Sequence, residues 1–264
     1  MSLRYYCIMG YIGDTSNQKD KEATRMLKNK VAIVTGASRG IGKATAFKLA
    51  QHQVQVVLFS SSEEVMETAQ ELEHLGHRVL AVRGDVARES DVQSCVTQTI
   101  EQYGKVDILV NNAGIGFFKE VEATSLEEWQ RLFAVNVQGV FLFTKAVLPY
   151  MKERGQGTII NIASDVARRT IPNGAAYTAS KYAVQGFTGA VAQEVRKLGI
   201  RVGTINPGMV DTYFNNSIQG DPQKRDWLKA EDVADAVIYM ASAPKHMVID
   251  EVMLHPLIQE YPNV

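Results

Sequence analysis

Short apolar segments alternate with amphipathic helical segments from Val31 almost to the end of this 264-residue chain. The pattern predicts strands at 31–35, 54–59, 78–83, 106–110, 158–162 and 201–205, with a final edge strand at 248–254. It predicts helices at 41–51, 63–75, 89–103, 125–152, 176–198 and 230–242. Strands that are apolar at consecutive positions are buried on both faces, as in a parallel sheet covered by helices. The sequence therefore predicts an α/β fold, a doubly wound parallel sheet of about seven strands with helices on both faces.

No linker, repeat or low-complexity segment divides residues 29–264, so we expect one domain there. Residues 1–28 stand apart as an N-terminal arm: an aromatic patch at 5–12 precedes the polar run 14–21. Either the arm is an accessory segment that docks on an apolar surface, or Met26 marks the natural start of the chain. The polar run is too hydrophilic to build a core, and no residue of the arm is expected in a functional site.

Charge and cysteine content narrow the functional classes. The formal net charge is −1, which does not favour nucleic acid or an anionic membrane as a partner. The two cysteines, Cys7 and Cys95, are far apart, as expected for a cytoplasmic protein without a disulfide framework. We expect Cys95 to fill the core of a helix packing face, and we expect no membrane-spanning segment, no signal peptide and no metal site.

A glycine-rich loop follows the first predicted strand and leads into the first predicted helix. It reads Thr-Gly-Ala-Ser-Arg-Gly-Ile-Gly over residues 35–42. At this point of a doubly wound sheet, glycines let the backbone approach a pyrophosphate, and the helix N-terminus supplies N–H groups. The spacing differs from the common Gly-x-Gly-x-x-Gly, but its position between strand and helix predicts a dinucleotide-binding Rossmann domain.

A second motif can move a proton. Tyr177 and Lys181 are four residues apart in a predicted helix, so both lie on one face, and Ser164 follows the fifth strand. A nearby ammonium favours the phenolate, so Tyr177 can exchange a proton with a substrate oxygen. Ser164 can hydrogen-bond that oxygen. Together the two motifs predict a nicotinamide-dependent oxidoreductase, in which hydride transfer belongs to the cofactor.

These motifs, with Asn111-Asn112-Ala113-Gly114 after the fourth strand and Pro207-Gly208 after the sixth, resemble the short-chain dehydrogenase/reductase family over roughly residues 29–242. The resemblance implies that Ser164, Tyr177, Lys181 and Asn136 form the catalytic set, Asn136 steadying a helix kink and a water leading to Lys181. It implies cofactor contacts from Gly36, Ser38, Arg39, Gly40, Ile41, Gly42, Ser60, Ser61, Asp85, Val86, Asn112, Ala113, Gly114, Tyr177, Lys181, Pro207, Gly208, Val210 and Thr212. Asp85 would contact the adenine, and Val210 with Thr212 the carboxamide. Asp85 and Asn111 also suit a purely structural role at strand ends.

The sequence favours NADP over NAD. An acidic residue after the second strand binds the ribose 2′-hydroxyl in NAD enzymes, whereas an arginine accommodates the 2′-phosphate of NADP. Here Ser60-Ser61-Ser62 follows Phe59 without a carboxylate, and Arg39 lies in the glycine loop. Glu63 and Glu64 come later and are expected in the first turn of a helix.

The substrate is expected to be a small hydroxy or carbonyl compound, because the segment expected to cover it, residues 213–227, is short. The chain lacks the Asp-Gly-Gly that usually follows the last strand in 3-oxoacyl-carrier-protein reductases, and its C-terminal segment resembles the NADP-dependent 3-hydroxy acid dehydrogenase branch. A 3-oxoacyl-carrier-protein reductase and a non-catalytic NADP-sensing regulator remain alternatives. Arg168 and Arg169 suit a substrate carboxylate or, equally, an exposed loop.

Apolar residues on the helices predicted at 125–152 and 176–198, including Phe141 and Phe187, extend beyond one stripe. In the family these two helices pack against symmetry mates, so the resemblance implies a homo-oligomer, a tetramer or a dimer.

Overall fold

The structure, a computed structural model, describes residues 15–260. Its centre is a seven-stranded parallel sheet in the order β3-β2-β1-β4-β5-β6-β7. The strands are β1 (Val31–Thr35), β2 (Gln55–Ser60), β3 (Val79–Arg83), β4 (Ile108–Asn111), β5 (Gly157–Ile162), β6 (Ile200–Pro207) and β7 (Glu251–Leu254). The predicted fold class is confirmed, with strand order reversing between β1 and β4.

Eight α-helices accompany the sheet within the described residues. They are α1 (Thr15–Leu27), α2 (Gly40–Gln51), α3 (Glu64–His74), α4 (Glu89–Tyr103), α5 (Leu126–Phe133), α6 (Gly139–Arg154), α7 (Ala175–Val195) and α8 (Ala230–Ala241). The helix predicted at 125–152 is interrupted, because a π-helical turn at Ala134–Gln138 separates α5 from α6. Ser125 begins α5 with a capping box, its hydroxyl accepting from Glu128 N–H.

Helices cover both faces of the sheet, as the apolar strands require. Val34 of β1 points into a core built with α2, α3 and α8, whereas Ile33 points into a second core built with α4, α6 and α7. Cys95 is fully buried in the second core, where burial raises the pKa of its thiol to about 12. It therefore packs as an apolar side chain, as expected.

The last turn of the N-terminal arm belongs to one of the two cores. Helix α1 packs beside α8, and Leu27 is fully buried in the core formed with α2 and α8. Thr24 Oγ1 lies 2.7 Å from His52 Nδ1 at the end of α2. The polar residues Lys19–Lys21 are exposed, whereas the apolar end of α1 contributes to the core. The aromatic patch at 5–12 and Cys7 lie outside the described residues.

One helical run among the described residues is long and apolar enough to cross a bilayer by length and composition alone. The helical run Leu126–Arg154 has a mean hydropathy of 1.5 over its most apolar window, half of which is buried inside the fold. Phe143, Val147 and Met151 of α6 are fully buried in the core built with α4 and α7. The apolar character of this run therefore serves the core between helix and sheet.

Candidate active site

The carboxyl ends of the parallel strands open into one cavity of about 710 Å³. Such an edge, at the point where strand order reverses, is where doubly wound sheets bind ligands. Of the predicted site residues, the cavity is lined by Gly36, Ser38, Arg39, Gly40, Ile41, Ser60, Ser61, Asp85, Val86, Asn112, Ala113, Gly114, Ser164, Tyr177, Lys181, Pro207, Gly208, Val210 and Thr212. Gly42 and Asn136 do not line the cavity, and both lie behind its wall.

The glycine loop has no room for side chains at two positions. Gly36 has a φ of +65°, and a Cβ there would lie 2.9 Å from Ala113 Cα. A Cβ on Gly42 would lie 2.1 Å from the carbonyl oxygen of Gly36. Glycine at these positions lets the loop fold tightly against the start of α2. Arg39, the N-cap residue of α2, makes no side-chain hydrogen bond to the first turn of the helix. The N–H groups of that turn therefore remain available to an anion.

Asn112 ties the loop to the end of β4. Its Nδ2 donates to Thr35 O at 2.9 Å and to Gly36 O at 3.2 Å, and its N–H donates to Thr35 Oγ1 at 3.0 Å. Asn111 is buried and donates to Asn161 Oδ1 at 2.8 Å, which is the structural role considered for it. Both asparagines thus hold adjacent strand ends in register around the cavity.

Hydroxyl groups line the end of the cavity beyond β2, and Arg39 lines the cavity from the neighbouring glycine loop. Ser60 Oγ donates to Ser38 Oγ at 3.2 Å, and Ser61 lines the cavity beside them. Arg39 is exposed, with its guanidinium carbon 5.4 Å from the ring centroid of Tyr213. Glu63 is ion-paired with Arg83 at 2.7 Å, whereas Glu64, in the first turn of α3, also lines the cavity.

Asp85 is anchored from two sides. Its Oδ1 accepts from Ala87 N–H at 3.0 Å, and Arg131 Nη1 of α5 lies 2.8 Å from its Oδ2. Burial acts to raise the pKa of Asp85, but these two donors outweigh it and lower the pKa overall. Arg131 also lines the cavity. Sequence reasoning missed Arg131, because a single arginine in a helix carries no signal of where its guanidinium lies.

Tyr177 and Lys181 lie on one face of α7, as their spacing predicted. Lys181 Nζ is 5.6 Å from the Tyr177 ring centroid and donates to Ile162 O at 2.9 Å. Burial lowers the pKa of Lys181 to about 8. Burial also raises the pKa of Tyr177, and a hydrogen bond with Ser164 partly offsets this. Since Lys181 makes no carboxylate ion pair among the described residues, its charge can act on Tyr177 and on a bound ligand.

Asn136 lies in the π-helical turn between α5 and α6. Its Oδ1 accepts from Ile115 N–H at 2.9 Å, while its Nδ2 donates to Ile115 O at 2.9 Å and to Ser180 Oγ at 3.1 Å. Ser180 in turn donates to Tyr177 O at 2.7 Å. The π-helical turn is the helix irregularity that the resemblance implied, and through it Asn136 joins the loop after β4 to α7.

Ser164 follows β5 and is surrounded by residues that sequence reasoning did not bring together. Its Oγ accepts from Val166 N–H at 3.3 Å and lies 3.0 Å from Asp165 Oδ1. Arg169 and Gln259 both donate to the other oxygen of Asp165. The position of Asp165 directly after Ser164 was the only available signal, since Gln259 is 94 residues away in sequence. Arg168 instead pairs with Glu251 of β7.

The segment after β6, residues 213–227, presents both aromatic and polar side chains to the cavity. Phe214 lies 5.3 Å from the Tyr177 ring, centroid to centroid, and Phe118 from the loop after β4 lies 6.0 Å from the same ring. Lys224 of this segment is buried. Its Nζ donates to Thr212 O at 3.1 Å and to Ile218 O at 2.6 Å, which ties the segment together.

Comparison with known proteins agrees with this site. The family model for short chain dehydrogenases matches residues 30–223. An alcohol dehydrogenase from Thermococcus sibiricus, solved with 5-hydroxy-NADP, is 35% identical, with a TM-score of 0.84, and the match covers 89% of this chain and 99% of that one. A 3-ketoacyl-(acyl-carrier-protein) reductase from Brucella melitensis, solved with NADH, is 33% identical, with a TM-score of 0.81 and coverages of 88% and 98%.

A curated relative is closer in sequence. The 2-(R)-hydroxypropyl-CoM dehydrogenase of Xanthobacter autotrophicus is 41% identical over 228 residues, which are 81% of this chain and 91% of the relative. The fold and the site define a nicotinamide-dependent oxidoreductase that interconverts hydroxyl and carbonyl groups. The chain belongs to the short-chain dehydrogenase/reductase family.

The residues present fit a nicotinamide dinucleotide. The cavity has the size of a cofactor site, and the close approach of Gly36 and Gly42 leaves backbone rather than side chains facing it. The glycine loop also lies close to Thr212 after β6, since a Cβ added to Gly40 would be 3.5 Å from Thr212 Cγ2.

Proposed function

We propose that this protein transfers a hydride between NADP and a small hydroxy or carbonyl compound, a 3-hydroxy acid or a similar alcohol or ketone, with Tyr177 as general acid and base. The observation that carries this proposal is the joint placement of Ser164, Tyr177 and Lys181 at one end of a cavity whose other end is the glycine loop. A site for proton transfer and a site for a dinucleotide are thereby continuous.

The cofactor, when bound, donates or accepts the hydride. In the reducing direction, Tyr177 gives its hydroxyl proton to the carbonyl oxygen, and Ser164 hydrogen-bonds the same oxygen. In the oxidising direction, Tyr177 takes the hydroxyl proton of the substrate. Lys181 favours the phenolate needed for that step, because its ammonium lies beside the ring and has no carboxylate partner among the described residues. Asn136 holds Ile115, in the loop after β4, against Ser180 of α7.

NADP is the favoured cofactor in this proposal. Arg39 follows Ser38, whose hydroxyl accepts from Ser60 Oγ, and Ser60 and Ser61 line the cavity with hydroxyl groups that suit a phosphate. The carboxylate of Glu63 is engaged by Arg83. Among related structures, the Thermococcus enzyme was solved with an NADP derivative and the Brucella enzyme with NADH, so the preference rests on Arg39 and the serines.

A small substrate suits the covering segment and its aromatic lining. Phe118, Phe214 and Ile171 surround the cavity near Tyr177, and such surfaces favour a compact molecule with an apolar side. The Xanthobacter relative is named for a hydroxypropyl substrate. This supports a short hydroxylated or oxo compound here.

The test is a screen of 3-hydroxy acids, secondary alcohols, small ketones and diketones, and a 3-oxoacyl thioester, each with NADP(H) and NAD(H), followed by nicotinamide absorbance. We expect turnover of one of the small compounds, with a higher kcat/KM for NADP(H). Turnover of the thioester alone would support the acyl-carrier-protein reductase instead. Cofactor binding without turnover of any compound would support the NADP-sensing regulator.

A further inference from the structure

A buried carboxylate lies directly beside Ser164. Asp165 is 4% exposed, and its Oδ1 lies 3.0 Å from Ser164 Oγ. Its Oδ2 accepts from Arg169 Nε at 2.8 Å and from Gln259 Nε2 at 2.7 Å. Proton exchange between Tyr177 and a substrate does not itself require this carboxylate. A buried charge is costly unless it is paired and hydrogen-bonded. The position of the Asp165 carboxylate beside the Ser164 hydroxyl therefore needs a physical reason.

Asp165 determines where the hydroxyl proton of Ser164 points. The serine oxygen already accepts from Val166 N–H at 3.3 Å, and its one proton has two nearby acceptors besides the Tyr177 hydroxyl. These are Asp165 Oδ1 at 3.0 Å and Pro207 O at 3.5 Å. The shorter, charge-assisted bond to Asp165 is the stronger one. The orientation of Ser164 in the free protein is therefore set by the carboxylate, and its proton turns from Asp165 when Ser164 donates to a substrate carbonyl oxygen.

The same carboxylate places a negative charge close to Tyr177. The groups that face Tyr177 are Lys181 on its own helix, Ser164 and Asp165 from the loop after β5, and the rings of Phe118 and Phe214 from two further loops. Burial is the largest cause of the raised pKa of Tyr177, and the charge of Asp165 adds to it. An unpaired Asp165 would thus oppose formation of the phenolate.

Arg169 and the C-terminal segment counter that charge. Arg169 is four residues beyond Asp165 and binds its Oδ2 through both Nε and Nη2. Gln259 bridges Asp165 to Met209 N–H, which donates to Gln259 Oε1 at 2.9 Å. His255 Nε2 lies 3.6 Å from the same carboxylate oxygen. The donors converge on one oxygen and leave the other for Ser164.

We propose that Asp165 and Arg169 form a positioning pair: Asp165 orients the Ser164 hydroxyl, and Arg169 cancels the charge that Asp165 places beside Tyr177. This inference rests on the proposed function, because it concerns the step in which Tyr177 exchanges a proton with the substrate. Neither residue is required to touch the substrate. Their effect is expected in the pH dependence of turnover, where a purely structural pair would leave no signature.

The test uses the full chain and the alcohol identified by the screen above. The acid limb of kcat/KM for alcohol oxidation reports ionisation of the base. Arg169→Gln leaves the carboxylate uncompensated, so we expect the apparent pKa of this limb to rise by about one unit. Asp165→Asn removes the negative charge and leaves Arg169 unpaired, so the limb is expected to move about one unit lower. The double variant is expected to return toward the wild-type limb.

Two further variants separate charge from packing. Arg169→Lys keeps the positive charge but not the guanidinium, so it is expected to retain the wild-type limb. Arg168→Gln removes the neighbouring arginine, which pairs with Glu251 and not with Asp165, and serves as the matched control with an unchanged limb. Melting curves and NADPH fluorescence titrations show whether each variant is folded and binds cofactor.

The outcomes distinguish this inference from the proposed function. A wild-type chain that turns over no compound in the screen overturns the proposed function, and this inference with it. A wild-type chain that is active, with limbs that coincide in Arg169→Gln, Asp165→Asn and the wild type, overturns the positioning pair alone. If Asp165→Asn does not fold, Arg169→Gln compared with Arg169→Lys decides the question, because only the former removes the charge.

Discussion

The ammonium nitrogen of Lys181 lies 2.9 Å from the carbonyl oxygen of Ile162, the last residue of β5. This bond joins α7 to the strand that leads into Ser164, while the Lys181 nitrogen stays 5.6 Å from the centroid of the Tyr177 ring. The relative positions of Ser164, Tyr177 and Lys181 are therefore fixed by one helix, one strand end and one buried hydrogen bond. Such preorganisation is what proton transfer at a defined atom requires.

Replacement of Tyr177 by phenylalanine keeps the ring and removes the proton. We expect kcat to fall by about 10²-fold or more, with NADPH affinity retained, because the phenol and not the ring performs the chemistry. Steady-state kinetics, NADPH fluorescence titration and circular dichroism are the measurements. Tyr182→Phe, which alters an exposed tyrosine on the same helix, is the control. Substantial residual turnover in folded Tyr177→Phe protein would rule out Tyr177 as the acid and base.

Arg39→Ala tests the cofactor preference. Because Arg39 lines the cavity from the glycine loop, next to Ser38, we expect its loss to weaken NADPH binding by about tenfold, equivalent to one charge-assisted hydrogen bond. NADH binding is expected to change little. The control is Lys48→Ala in α2, where Lys48 pairs with Asp235. Fluorescence titration of both cofactors gives the affinities. Equal losses for NADPH and NADH would contradict the assignment.

Lys181→Met should separate stability from activity. The pKa of Lys181 is lowered to about 8 by burial, against an ordinary lysine value of 10.5. Between these values the unfolded chain holds more protons than the folded one, so the free energy of unfolding rises with pH across this window. Below pH 8 the buried ammonium therefore costs stability. We expect Lys181→Met to raise Tm at pH 7 by about 3 °C, as about 1 kcal/mol would, and to abolish turnover.

The gap in Tm between Lys181→Met and the wild type should shrink at pH 9, where the folded lysine is mostly neutral. Differential scanning calorimetry at both pH values is the measurement. A gap that is unchanged or wider at pH 9 would show that burial of the charge does not limit stability here.

A chain that begins at Met26 removes most of α1 but keeps Leu27 and every predicted site residue. We expect it to fold, bind NADP and retain kcat, because α1 packs on the face of the sheet that holds α2 and α8 and does not line the cavity. Loss of the packing of Ala23 and of the bond between Thr24 and His52 is expected to lower Tm by a few degrees. Thr24→Val measures how much of the fall in Tm is due to the Thr24–His52 hydrogen bond alone. A large drop in kcat with the fold preserved would place the arm in the active site.

The outer face of α6 and α7 predicts self-association. Phe141 is 45% exposed and meets Phe187 edge to face, with ring centroids 6.4 Å apart. We expect a tetramer or a dimer in sedimentation velocity at micromolar concentration, and we expect Phe141→Lys to shift the protein to smaller species. Met66→Lys, which changes another exposed apolar residue on α3, is the control. A wild-type monomer would refute the prediction.

The order of strands and helices followed from local patterns, and so did the two motifs. Apolar runs such as Val31–Thr35 are buried along their whole length, so consecutive apolar residues correctly predict a strand that is buried on both faces. The glycine loop and the Tyr177–Lys181 pair each span only a few residues, so their local geometry follows from the sequence. Most of the predicted site residues line one cavity. The π-helical turn at Ala134–Gln138 had no such local signal, because its residues pattern as a continuous helix.

By itself the sequence determined the sheet, the dinucleotide loop and the side chains that can exchange a proton, since each depends on residues close together in the chain. Only the tertiary structure decided what surrounds them. Gln259 reaches Asp165 from 94 residues away, and Arg131 reaches Asp85 from 46 residues away. It also showed that Leu27, from the segment set apart as an arm, is fully buried. Charge compensation and burial are sums over all neighbours in space, and no short stretch of sequence carries that information.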